Sequence, residues 1–169
     1  MGAADQAGDR RHQRVVVTGG LELALNCDIL IASERARFAD THARVGVLPG
    51  WGLSVLLPLM VGRGLARRMS LTGDYLSADE ALRAGLVTEV VAHEDLLPAA
   101  RRVAASIVGN DQSGVRALLR SYRDIEAALV GDGPRIEAAT SAAWRAGFDP
   151  AEVERRRAGV IDRGRAQTA

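Results

Sequence analysis

A chain of 169 residues suits one domain with a single buried core, and 47% hydrophobic with 25% charged residues are globular values that exclude whole-chain disorder. All 22 basic residues are arginine, which excludes a Schiff-base or P-loop lysine, and against 21 acids they leave a net charge of +1. That balance, with aromatics at 4%, argues against nucleic acid or an anionic membrane surface as a partner.

No apolar run has the length of a membrane span. Residues 1–14 contain almost nothing apolar larger than alanine and no secretory h-region. They read as a poorly ordered leader to a cytoplasmic protein. Val15-Val16-Val17 is a β-branched run that stops at Thr18-Gly19-Gly20, a strand end followed by a turn. Leu21 to Asp28 reads as a helix buried on most sides, with Cys27 as a small core residue. Ile29-Leu30-Ile31 and Arg37-Phe38-Ala39 follow as short strands. Strand, Gly-Gly turn, helix and strand make a βαβ unit of an α/β fold, with the turn at the strand edge where such sheets bind ligands.

Thr41 to Gly52 reads as a loop ending in Pro49-Gly50-Trp51-Gly52. Residues 53–72 read as one or two helices broken near Pro58 and Gly62–Gly64. Ser77 and Glu80 have capping-box spacing for a helix through Ala84, closed by Gly85. Leu86 to Val91 reads as a strand. Helices are then expected over 94–108, over 112–130 with a stripe including Leu118, Tyr122, Ile125 and Leu129, from Pro134 to about Ala146, and from Asp149-Pro150 onward. A single cysteine and no Cys/His cluster of zinc spacing leave no expected metal site.

Chemistry has few places to sit. Gly19 and Gly20 open a helix, so their N–H groups lack intrahelical acceptors and lie at the positive end of its dipole, suited to a phosphate or an oxyanion. A plain turn is the alternative reading. Glu22 falls in the first turn of that helix among Leu21, Leu23, Ala24 and Leu25. A carboxylate in such a setting calls for a partner or a function. His42, with Asp40 and Arg44 nearby, reads by itself as a solvated loop histidine, and Trp51 as a core anchor or a pocket wall.

The stretch TGGLELALNCDILIASERARFADTHARVGVLPGWG, residues 18–52, and the later LTGDYLSADEALRAGLVTEVV, residues 71–91, together resemble the crotonase, or enoyl-CoA hydratase/isomerase, superfamily. The resemblance covers residues 15–100. It implies a crotonase-like α/β fold with a ββα-type spiral core lacking its N-terminal strands. A helical region over 101–169 that builds trimers or dimers of trimers would follow. The implied ligand is an acyl thioester of coenzyme A, which is part of the substrate, so no separate cofactor is implied. Position by position, Gly19 matches an oxyanion-hole glycine and Glu22 the first catalytic glutamate. His42 stands where a hydratase has its second glutamate. Gly50, after Pro49, matches the glycine beside the acyl pocket, and Trp51 lines or shields that pocket, with Gly20 beside it. Hydration and double-bond isomerisation of an enoyl-CoA both remain open. A catalytically impaired chain that binds CoA thioesters or serves oligomer assembly is the alternative.

Overall fold

The computed structural model describes residues 15–147 and 149–168; the expected leader at 1–14 lies outside them. The elements run β1 (Val15–Val17), α1 (Gly19–Leu25), β2 (Ile31–Ser33), β3 (Arg37–Ala39), α2 (His42–Val45), α3 (Leu53–Thr72), β4 (Leu76–Ser77), α4 (Ala78–Arg83) and β5 (Glu89–Val91). A short 3-10 turn, His93–Asp95, leads into α5 (Leu96–Val108), α6 (Gln112–Val130), α7 (Gly133–Ala146) and α8 (Pro150–Thr168).

Two small sheets form the α/β part. β1 pairs in parallel with β3, Val16 opposite Phe38, and β4 adds antiparallel to β3. β2 pairs in parallel with β5, Ala32 opposite Val90. The chain therefore passes from the first sheet to the second at β2, back for β3 and β4, and again to the second at β5, with α1 as the crossover from β1. The core gathers Leu21 and Leu25 of α1, Phe38 of β3, Leu53, Leu57, Ala66 and Met69 of α3, and Leu86 and Val87 before β5. Burying each large side chain stabilises the fold by about 1.5–3 kcal/mol.

Several boundaries differ from the sequence reading. The helix after β1 starts at Gly19 and stops at Leu25, not at Asp28, because the Asn26 amide donates back to the Glu22 carbonyl and the chain leaves the axis there. Only one side of α1 is buried: Leu23 is exposed, and Cys27, past the helix end, is exposed rather than a core residue. The second strand sits two residues later than expected, since Ala32 and Ser33 are the residues that reach the interior. Pro58 does not break α3; the break is at Gly62, whose φ of 77° leaves the helical region. The Ser77–Glu80 capping box is present in both directions. β5 is only the last half of the run 86–91, because Leu86 and Val87 turn inward as core residues.

In the helical tail, α7 packs on α3 and α8 on α2. The α6 stripe does not face the interior: Leu118, Tyr122, Ile125 and Leu129 are each more than half exposed. No helix among the described residues is long and apolar enough to cross a membrane.

Leu57, fully buried where α3 meets α1, is the test of this core. Leu57→Ala is expected to cost about 2–5 kcal/mol, read from urea unfolding midpoints at constant m-value.

Candidate active site

The site is built where β1, α1, the segment after β3 and the loop before α3 converge. Thr18, between β1 and α1, has φ 52° and ψ −119°, a conformation a β-branched residue adopts only when its surroundings enforce it. Its amide donates to the Ala39 carbonyl at 3.3 Å, and its hydroxyl meets that of buried Thr41 at 2.5 Å. The strained turn is thus tied to the end of β3. The Thr18 side chain makes no cap, so the first N–H groups of α1, those of Gly19 and Gly20, find no acceptor in it. The Trp51 ring lies over Gly19: a Cβ there would come within 3.4 Å of Trp51 Cζ3. Trp51 is otherwise exposed, which excludes the core-anchor reading and leaves it as a wall beside Gly19.

Glu22 follows on the same face of α1 as Gly19. It is buried, with 4% of its surface exposed, so its charge needs partners. Oε1 accepts from the backbone N–H of Gly50 at 3.0 Å and of Trp51 at 2.8 Å. Oε2 faces His42 Nε2 at 3.4 Å. His42 is not in a solvated loop. It starts the short helix α2 and is 5% exposed, a buried placement that its polar sequence neighbours gave no sign of.

Asp40, also buried, fixes the imidazole. Its Oδ1 accepts from the His42 backbone N–H at 3.1 Å and lies 2.6 Å from Nδ1. With Nδ1–H directed at Asp40, Nε2 is the nitrogen that meets Glu22. Burial opposes ionisation of Asp40, but hydrogen bonds from the His42 ring, from Ser70 on α3 and from the His42 backbone outweigh it and hold the carboxyl below its ordinary value. Asp40 is the participant that reasoning from sequence passed over, although its spacing of two from His42 permitted the bond. At 3.4 Å the Glu22–His42 gap exceeds a good direct hydrogen bond, so both atoms keep capacity for a water or a substrate proton between them.

The other expected residues fall nearby in different ways. Pro49 does not join this cluster; it lines a cavity of about 320 Å3 between α3 and α7, with Leu48, Val55 and Ile136. Gly50 is the pivot: its N–H serves Glu22, and a Cβ on it would stand 3.5 Å from Ser141 Oγ of α7. Gly20 is exposed, and a Cβ there would meet nothing.

Comparison with known proteins agrees with this architecture. The family model described as enoyl-CoA hydratase/isomerase matches residues 14–131. A probable peroxisomal enoyl-CoA hydratase of Arabidopsis thaliana is 37% identical over 148 residues, 88% of this chain and 56% of that protein. A crotonyl-CoA hydratase of Syntrophomonas wolfei is 43% identical over 98 residues, 58% of this chain and 38% of that protein. The crystal structure of an enoyl-CoA hydratase from Mycobacterium smegmatis superposes with a TM-score of 0.77 at 70% identity, covering 80% of this chain and 62% of that one. The fold and the cluster on α1 define a crotonase-type protein. The chain belongs to the enoyl-CoA hydratase/isomerase family. It spans about half the length of the curated relatives it matches.

Because the Asp40 carboxyl is depressed in the folded state, its contribution is complete above the unfolded-state value of about 3.9 and is lost as pH falls through the folded value. In urea unfolding followed downward from neutral pH, Asp40→Asn is expected to lower stability at pH 7. Below about pH 3.9 it is expected to lose less further stability than the wild type. Parallel pH profiles of the two proteins would contradict the assignment.

Proposed function

We propose that this chain acts on acyl-CoA thioesters, hydrating or isomerising an enoyl-CoA through an enolate held by backbone N–H groups. The observation that carries the reading is the meeting of Glu22 Oε2 and His42 Nε2 at 3.4 Å, on the helix whose first N–H belongs to Gly19. In this reading the Gly19 N–H polarises the thioester carbonyl. Glu22 and His42 position a water and take its proton as the oxygen bonds the β-carbon. The displaced electron pair moves onto the thioester oxygen, and a proton is then returned to the α-carbon. Preorganised donors at such an oxygen contribute on the order of 10²–10³ in rate each. Asp40 holds His42 in the tautomer that keeps Nε2 in play. Trp51 covers the Gly19 side of the site, with Gly20 and Gly50 as its rim. This chemistry calls for no separate cofactor. The similarity to an enoyl-CoA hydratase and a crotonyl-CoA hydratase supports hydration over a purely binding role.

The same reading includes self-association. The exposed stripe Leu118, Tyr122, Ile125 and Leu129 on α6 supports a homo-oligomer built through the C-terminal helices, a trimer or a dimer of trimers.

Two outcomes are expected. Glu22→Gln and His42→Gln should each lower kcat for crotonyl-CoA hydration by about 10²–10⁴ with an unchanged far-UV spectrum. Hydration by Glu22→Gln at the wild-type rate would remove Glu22 from the chemistry. The pair Leu118→Glu and Ile125→Glu should shift the sedimentation coefficient towards that of a monomer, and an unshifted boundary would place the interface elsewhere.

A further inference from the structure

Glu137 is a third buried carboxylate beside Glu22 and Asp40, and the chemistry above makes no use of it. It lies on α7, beyond the segment that matches the family model, and is 7% exposed. Its Oε1 accepts from the Gly52 N–H and its Oε2 from the Ser54 N–H, both at 2.6 Å. Those groups open α3, whose N-cap is Gly52 and so has no side chain to cap it. The cap comes instead from a residue 85 positions away, and a carboxylate there also complements the helix dipole.

The consequence reaches the site through very little chain. Gly50 and Trp51 donate to Glu22, and Gly52 and Ser54 donate to Glu137. The loop is stretched between two buried carboxylates on different helices, with no spare residue between the two pairs of bonds. Gly52 sits at φ 98° and bridges them in a left-handed conformation. Ser141, one turn beyond Glu137, stands against Gly50 and limits its movement from the other side.

We propose that Glu137 is a positioning residue for Glu22: by anchoring Gly52 and Ser54 it aims the Gly50 and Trp51 N–H groups at Glu22 Oε1. That clamp leaves Oε2 facing His42. The C-terminal helical region is thereby a structural part of the acid–base site. This rests on the reading of Glu22 given above.

The experiment uses the full chain in four forms, wild type, Glu22→Gln, Glu137→Gln and Glu137→Ala, with crotonyl-CoA hydration and amide hydrogen exchange as the two readouts. Loss of the anchor is expected to lower kcat by about tenfold or more with KM changed by less than about threefold, because a small misplacement of a reacting group acts on the chemical step. Protection of the Gly50 and Trp51 amides should fall at least about tenfold together with that of Gly52 and Ser54. A wild-type kcat in both Glu137 variants, or Gly50 and Trp51 protection unchanged while Gly52 and Ser54 are exposed, overturns the proposal. If Glu22→Gln is as active as wild type, the reading of Glu22 fails, and exchange alone then decides whether Glu137 controls the loop at 50–51. If neither Glu137 variant folds, wild-type exchange decides: one common protection for the four amides supports the coupling, and a difference above about tenfold between the two pairs overturns it.

Discussion

The arrangement depends on placing the charge of Glu22 inside a protein. A carboxylate taken out of water must recover its lost solvation from fixed donors, and here those are two consecutive backbone N–H groups, Gly50 and Trp51. Peptide N–H groups can converge on one oxygen only if the loop that bears them is held in a particular shape. The left-handed glycine at 52, the start of α3 and the packing of α7 all serve that shape. One oxygen of Glu22 is committed to the loop, and the other is left to His42.

His42 faces Glu22 because its ring is held from behind. Asp40, 2.6 Å from Nδ1, leaves Nε2 directed at Glu22. Asp40 in turn is anchored to α3 through Ser70, and Thr41, between Asp40 and His42, is anchored to the strained Thr18 turn. The turn that presents Gly19 and the segment that presents His42 are therefore joined by a hydroxyl pair, which fixes their relative positions.

Much of this was legible in the chain, and the failures are instructive. The β1 run, the Gly-Gly turn and the capping box at Ser77 are local features in which residue type and spacing determine the backbone. The end of α1 and the register of the second strand differ from the local reading because contacts from outside those segments help set them: the Asn26 side-chain amide donates to the Trp51 carbonyl, and β2 takes its register from β5, 58 residues later. Taken by itself, the polar sequence around His42 points to a solvated side chain, and only the family resemblance points to a site. Burial is decided by what covers a residue in space, and α8 packing on α2 has no counterpart in the local pattern.

By itself, the sequence determined the α/β start, the helical tail and the family, because these follow from short-range periodicity, turn chemistry and two ordered motifs. The tertiary structure alone decided which nitrogen of His42 meets Glu22, that Asp40 stands behind it, and that Glu137 caps a helix 85 residues before it. Those are distances of a few ångströms between groups far apart in the chain. They are fixed by hydrogen bonds that buried charges require, whose partners no local pattern names.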